Sequence, residues 1–254
     1  MILALDMGNT NIVVGGIDDE KTYFVERITT DHIKTSLEYA VSIKNILEIH
    51  HIDPGEIEGA IVSSVVPPLN ATLSSAIKKI LGFRPKLVGS GMKTGLNINM
   101  DNPKTVGSDL IVGAVAAIRE YPSPLIIIDM GTATTVCVVD AAGNYIGGVI
   151  YPGLKISLET LSSRTAQLPD ISLDIPSRVI GKNTIDCMRS GIMYGNAGML
   201  DGIIDRMEEE LGQKATILAT GGLSRFITPL CRHSIIYEED LMLKGLLILY
   251  NKNK

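Results

Sequence analysis

The chain has no run approaching the roughly 20 consecutive apolar residues that span a bilayer, so a transmembrane helix is excluded from its 254 residues. Met1 leads straight into a short strand-like run containing Asp6, not into a basic segment followed by a long apolar one. No secretory leader is expected, and the chain reads as cytoplasmic. Cysteine is scarce. Cys137, Cys187 and Cys231 are an odd number without paired spacing, which argues against a disulfide framework or a zinc site and suits small core residues. Positive charge is also short: 23 Lys and Arg stand against 28 Asp and Glu, a formal net charge of -5. Phosphate neutralisation along a nucleic acid needs clustered cations, so a small-molecule partner is expected instead. His32, His50, His51 and His233 show no metal-ligand spacing, and the adjacent pair suits a helix C-terminus. Neither a G-x-x-x-x-G-K-[ST] phosphate loop nor a G-x-G-x-x-G dinucleotide motif is present.

What the chain does contain is a repeat. "LALDMGNTNIVVGG" (3–16) and "IIIDMGTATTVCVV" (126–139) each run from apolar residues through Asp-Met-Gly and hydroxyl or amide residues into a second apolar run. Aligning Asp6 with Asp129, an offset of 123 residues, also matches Met7 with Met130, Gly8 with Gly131 and Val13 with Val136. Each copy predicts a β-hairpin with a tight turn at glycine. "AAGNYIGGVI" (141–150) extends the second into a three-stranded meander, and residues 18–29 do the same for the first.

The segments after each meander match as well. A helix is predicted over 35–52, with Thr35 or Ser36 as its cap, then a strand over 59–67, a helix over 69–82 closed by Gly82, and a strand over 85–89. The second half predicts a helix over 183–211, a strand over 215–222, a short helix near 223–230, a strand at 234–237 and a final helix near 239–250. Residues 163–183 form the one long irregular segment. Two similar domains, 1–120 and 121–254, are therefore expected, facing one another across a cleft.

An isolated Asp-x-Gly in a hairpin is more often turn chemistry than a ligand. Two copies half a chain apart reverse that preference. A glycine turn carrying Asn and Thr offers backbone N–H groups and hydroxyls to phosphate oxygens, and the neighbouring Asp suits the magnesium that accompanies a nucleotide. This is a layout for phosphoryl transfer. In "DNPKTVGSDLIVGAVAAIREY", a proline and glycine loop leads into an apolar helix and places Asp109 at or near its N-terminus. There it is suited to accept a proton from an attacking alcohol, or merely to cap the helix.

"DMGNTN" and "DMGTATT" resemble the two phosphate loops of the superfamily that contains acetate and sugar kinases, heat-shock chaperones and actin, and "ATGG" (219–222) resembles its adenosine-side motif. "SSVVPPL" (63–69), "GSD" (107–109), "GGVIYPG" (147–153) and "NTIDCMRSGIMYG" (183–195) further resemble the type III pantothenate kinases, in the expected order over nearly the whole chain. The resemblance implies an α/β fold of duplicated actin-like (ribonuclease H-like) domains, with mixed sheets flanked by helices. It implies ATP-dependent phosphorylation of pantothenate on its primary hydroxyl, the first step towards coenzyme A.

Carried over by position, the ATP-binding residues would be Asp6, Met7, Gly8, Asn9, Thr10, Asn11, Ile12 and Val13, with Thr132 in the second loop. Asp109 would be the catalytic base, Gly107, Ser108, Asp109, Leu110 and Thr184 would meet the acceptor, and Asp129 would bind a monovalent cation, potassium or ammonium. A homodimer is implied, with the acceptor pocket completed across its interface.

Two positions depart from the family pattern, both on the acceptor side. Leu110 stands where Arg normally follows the catalytic Asp and is expected to bind the pantothenate carboxylate; Met100 stands where Tyr is common before "DNP". Arg grips a carboxylate with two parallel hydrogen bonds and Leu has none to offer. Arg119 is about two and a half turns further along the helix, too far to substitute; Lys104, Lys155 and Arg164 remain as candidates. The alternatives are a kinase of the same fold with another hydroxyl-bearing acceptor, and a non-catalytic nucleotide-binding regulator. Retention of Asp6, Asp109 and Asp129 argues against the second, since binding alone needs no base.

Overall fold

The computed structural model describes residues 1–254. Strands β1 (Ile2–Met7), β2 (Asn11–Ile17) and β3 (Thr22–Thr29) form the first meander, followed by α1 (Ser36–Ile49), β4 (Gly59–Ser64), α2 (Asn70–Leu81), β5 (Lys86–Leu87), β6 (Asn97–Ile98) and α3 (Ser108–Glu120). The second meander is β7 (Leu125–Met130), β8 (Ala133–Val139) and β9 (Asn144–Pro152). It is followed by α4 (Leu154–Ser163), α5 (Thr184–Leu211), β10 (Thr216–Thr220), α6 (Ser224–Ile227), β11 (Ile236–Tyr237) and α7 (Leu241–Lys252).

Local chemistry sets several boundaries. Thr35 caps α1 through a reciprocal pair: its hydroxyl accepts from Glu38 N, and the Glu38 carboxylate accepts from Thr35 N at 2.8 Å. Gly82, at φ 80°, ends α2 in the left-handed region that glycine enters without strain. The strand expected over 59–67 stops at Ser64 because Pro67 opens a 3-10 turn and has no N–H for a ladder. Helix α4 fills residues for which the sequence pattern gave no element, burying Leu154 and Leu158.

The chain divides into two compact units: residues 1–96, 101–119 and 240–254, and residues 97–100 and 120–239. The first has the sheet order β3-β2-β1-β4-β5, with β1 antiparallel to β2 and parallel to β4. Leu3, Leu5 and Met7 pack on α1 and α2 through Tyr39, Ile43, Leu73 and Ile77, while Ile2, Ala4 and Ile61 pack on α3 and α7 through Val112, Val115, Leu243 and Leu246. The second unit has the order β11-β10-β7-β8-β9-β6, and Ile126, Ile128, Val136 and Val138 pack on α4 and α5.

These units differ from a division between residues 120 and 121 in two segments and at Glu120, which lies in the second unit. Helix α7 belongs with the first unit, where Leu243 lies over Gly15 and Tyr250 over Gly59, positions at which any Cβ would collide with those side chains. Residues 97–100 belong with the second, because β6 pairs with β9.

The two hairpins match residue for residue only as far as the turn. Strands β1 and β7 have the same burial pattern, as do β2 and β8, but Asp6 pairs with Val13 whereas Asp129 pairs with Thr135. Val136 is therefore the counterpart of Val14, not of Val13. The first turn contains one more residue, so Gly8 N donates to Asn11 O and Gly131 N to Ala133 O, each at 3.0 Å.

Candidate functional site

In the first unit, Asp6 stands next to the end of β1, paired on one side with Val13 and on the other with Ser63. Asn9, Thr10 and Asn11 are exposed on the turn, whereas the side chains of Met7 and Ile12 are fully buried in the core and their backbones face one another in the sheet; Val13 is partly buried. Thr30, at the end of the third strand, holds the turn. Its N–H donates to Thr10 O at 2.9 Å and its hydroxyl to Gly8 O at 2.7 Å.

Helix α3 starts close to that hairpin. The Gly107 carbonyl accepts from Ile111 N at 3.2 Å, so residue 107 occupies the capping position and Asp109 lies inside the first turn. The Asp109 carboxylate accepts from Leu110 N at 2.9 Å. Burial pushes its pKa above the ordinary carboxylate range, against the opposing pull of the amides of Leu110 and of Asp109 itself. The Ser108 hydroxyl turns towards β4, at 3.2 Å from Ser63 Oγ and 3.0 Å from Ser64 O. Leu110 follows, partly buried.

In the second unit, Asp129 likewise stands next to the end of β7, and Thr132 is exposed on the shorter turn. Two glycine motifs converge on this turn. Gly153, at the end of "GGVIYPG", donates its N–H to Thr132 O at 3.1 Å, and a Cβ there would lie 2.4 Å from that oxygen. Gly221, in "ATGG", has φ +91°, and a Cβ would lie 2.7 Å from Met130 O and 2.8 Å from Asp129 Oδ1. No alternative residue fits either position without displacing the loop. The sequence named both motifs but carried no signal that they would meet.

Thr184 opens α5 on a separate element, exposed, just after the cap Asn183, whose side chain accepts from Asp186 N at 2.9 Å. Met100 packs over Gly147 of β9, with its sulfur 3.2 Å from where a Cβ would stand. Lys104, Lys155 and Arg164 are all exposed. His233, which lacked ligand spacing in sequence, lies beside Asp205 at 2.9 Å, and its ring nitrogen falls within 4.8 Å of ligand atoms of Asp205 and Glu208. Glu208 is already engaged by Lys214 Nζ at 2.6 Å and Ala215 N at 3.1 Å, before β10, while the contact of His233 with Asp205 ties the loop before β11 onto α5.

Two mixed sheets flanked by helices, each opening on an Asp-Met-Gly hairpin, define the actin-like fold shared with ROK-type sugar kinases. A ROK family glucokinase from Streptomyces griseus superposes with a TM-score of 0.52 at 12% identity, covering 98% of each chain. A Baf family protein from Campylobacter jejuni superposes with a TM-score of 0.60 at 18% identity, covering 99% of this chain and 98% of that one. Sequence comparison is more specific. Residues 2–206 match the family described as type III pantothenate kinase. The type III pantothenate kinase of Bacillus cytotoxicus is 48% identical over 253 residues, covering 100% of this chain and 97% of the relative. The chain belongs to the type III pantothenate kinase family. It is an enzyme, a kinase acting on pantothenate in coenzyme A biosynthesis. No helix is long and apolar enough to cross a membrane.

Proposed function

We propose that the chain moves the γ-phosphoryl group of magnesium ATP to the primary hydroxyl of pantothenate with Asp109 as general base. The observation that carries this reading is the half-buried Asp109 carboxylate in the first turn of α3, held by Leu110 N and raised in pKa by desolvation. Raising the pKa of a carboxylate makes it a stronger base towards a hydroxyl proton. As the acceptor oxygen attacks the γ-phosphorus, its O–H bond breaks towards Asp109, and the bond to the bridging oxygen breaks to leave ADP.

The other residues are assigned from where they lie. Asn9, Thr10 and Asn11 are assigned to the ATP phosphates through their exposed side chains, while Gly8, whose N–H is held by Asn11 O, and the strand residues Met7, Ile12 and Val13 fix the shape of the loop. Asp6 suits magnesium, a hard cation that takes one or two carboxylates and fills its remaining positions with phosphate and water. Thr132 serves the phosphates from the second loop. Asp129 fits a monovalent cation: its carboxylate and the Met130 carbonyl border the space that a Cβ at Gly221 would fill, a set of hard oxygen donors. When bound, that cation, potassium or ammonium, supplies fixed positive charge. Thr184, Gly107, Asp109 and Leu110 are assigned to the acceptor, whereas the Ser108 hydroxyl is turned to β4; the acceptor carboxylate is assigned to a cationic side chain elsewhere.

A homodimer is part of the same reading. On the 28-residue α5, Gly191, Gly195 and Gly198 are exposed with open space where a Cβ would stand, and they recur at helical spacing along one face. Ile150, Val179 and Ile180 of the same unit are more than half exposed. A bare helix face, in a unit that also exposes apolar side chains, suits close approach of a second copy. Cytoplasmic placement follows from the substrate class.

The test is ADP release by the purified protein with magnesium ATP and potassium, with and without pantothenate, repeated with sodium. Turnover that requires both pantothenate and potassium supports the reading. ATP binding without pantothenate-dependent turnover under any of these conditions overturns it.

A further inference from the structure

The motif "SSVVPPL" has no role in the mechanism above, yet its two serines lie where the mechanism needs rigidity. Ser63 and Ser64 end β4, paired with Asp6 and Met7 of β1. The Ser108 hydroxyl is 3.2 Å from Ser63 Oγ, 3.2 Å from Ser64 N and 3.0 Å from Ser64 O. A hydroxyl has one proton to donate and two lone pairs to accept with. Donation to Ser64 O and acceptance from Ser64 N and Ser63 Oγ fill that capacity, so this hydroxyl is committed to the protein rather than to a ligand. Ser63 is fully buried and Ser108 partly so.

We infer that Ser108 is a positioning residue for phosphoryl transfer: through Ser63 and Ser64 it locks the start of α3 to the strand beside the first loop and so fixes where Asp109 stands relative to Asp6. The path is short. Asp6 pairs with Ser63, Ser63 meets Ser108, and Ser108 is the residue before Asp109. The role differs from a cap, because the capping carbonyl is that of Gly107 and the bonds of Ser108 run to another element. A base displaced by about an ångström loses much of its contribution to rate. This inference rests on Asp109 being the base.

Ser108→Ala, Ser63→Ala, the double variant and Asp109→Asn are compared for kcat, the KM of ATP and the pH profile of kcat. Ser108→Ala is expected to lower kcat roughly 10-fold with the KM of ATP unchanged, and to move the acid limb of the profile to lower pH as the carboxylate gains access to water. Ser63→Ala is expected to act in the same direction, and the double variant to lose less than the two effects added, as for residues in one network. Unchanged kcat and acid limb in folded Ser108→Ala overturn the inference; should that variant fail to fold, the same result in Ser63→Ala overturns it. Near-normal turnover in Asp109→Asn overturns the base assignment instead, so the two failures are distinguishable.

Discussion

The carboxylate of Asp109 occupies the space that a side chain at Gly107 would fill: a Cβ there would stand 2.3 Å from Asp109 Oδ1. The glycine is needed for what its absent side chain leaves room for, since its φ lies outside the left-handed region. Gly107→Ala forces the carboxylate into another rotamer. Misplacement of a reacting group by about 1 Å costs on the order of 100-fold in rate, so kcat is expected to fall by about that factor while the KM of ATP stays close to wild type. Steady-state kinetics with each substrate varied in turn checks this, and an unchanged kcat shows that the rotamer is not the productive one.

Asp109→Asn separates catalysis from stability. Turnover is expected to fall by about 100-fold or more, the usual scale for a general base, with ATP binding by calorimetry nearly unchanged. The folded-state pKa of Asp109 is raised by burial. A carboxyl raised in the folded state favours folding below its unfolded pKa, and that advantage is lost as pH rises through the folded value. Above the unfolded pKa the wild-type carboxyl therefore costs stability relative to acid, and the neutral amide removes the cost. Asn at this position is expected to melt higher than wild type at pH 7, with the gap closing under acid. A lower melting temperature at pH 7 contradicts the desolvation argument.

Much of this could be read from sequence, for identifiable reasons. The Asp-Met-Gly hairpins, the capping Thr35 and the stop at Gly82 are local signals, and each is where its residues placed it. The offset between the repeats was legible up to the turn and not beyond, because a one-residue difference in turn length leaves both apolar runs intact. The affiliation of α7 with the first unit depends on Gly15, Gly59 and Gly245 making room for it, and a glycine in sequence does not say what approaches it. The same holds for Gly153 and Gly221 at the second loop. Ser108 was legible as a neighbour of Asp109 but not as a partner of Ser64, a contact spanning 44 residues.

Leu110→Arg tests what occupies the acceptor side. Leu110 is partly buried and offers no donor to a carboxylate, whereas Arg offers a planar fork of them. If residue 110 limits acceptor binding, the KM of pantothenate is expected to fall by roughly 10-fold or more, on the scale of a charge-assisted hydrogen bond, with the KM of ATP unaffected. An unchanged pantothenate KM assigns the carboxylate to another cation, and Lys104, Lys155 and Arg164 to alanine then identify it.

At the second loop, Gly221→Ala is expected to act on the cation before it acts on ATP. The added methyl meets Asp129 Oδ1 and Met130 O, and the backbone at φ +91° disfavours any side chain. Displacing the carboxylate is expected to raise the potassium concentration for half-maximal activity by about 10-fold or more, the scale on which disturbing the support of a metal ligand lowers affinity. A potassium titration at saturating ATP measures it. Unaltered potassium dependence in a folded variant removes Asp129 from the cation site.

Stability offers a comparison between two glycines in neighbouring helices. Gly245 of α7 and Gly113 of α3 are both buried within helices, where Ala is favoured by roughly 1 kcal/mol if nothing obstructs its methyl. At Gly113 a Cβ would meet only Met242 Sδ, at 3.7 Å, an ordinary contact. At Gly245 it would stand 2.2 Å from the backbone oxygen of Val112, which cannot rotate away. Overpacking of that kind costs about 1–3 kcal/mol, and a rigid carbonyl at this distance belongs at the upper end, so the clash outweighs the helix gain. Gly245→Ala is expected to destabilise by roughly 1–2 kcal/mol and Gly113→Ala to stabilise by up to about 1 kcal/mol. Denaturant melts of the two variants check the signs. Equal and favourable effects in both would mean that α7 does not press on α3, and the placement of residues 240–254 in the first unit would fall with it.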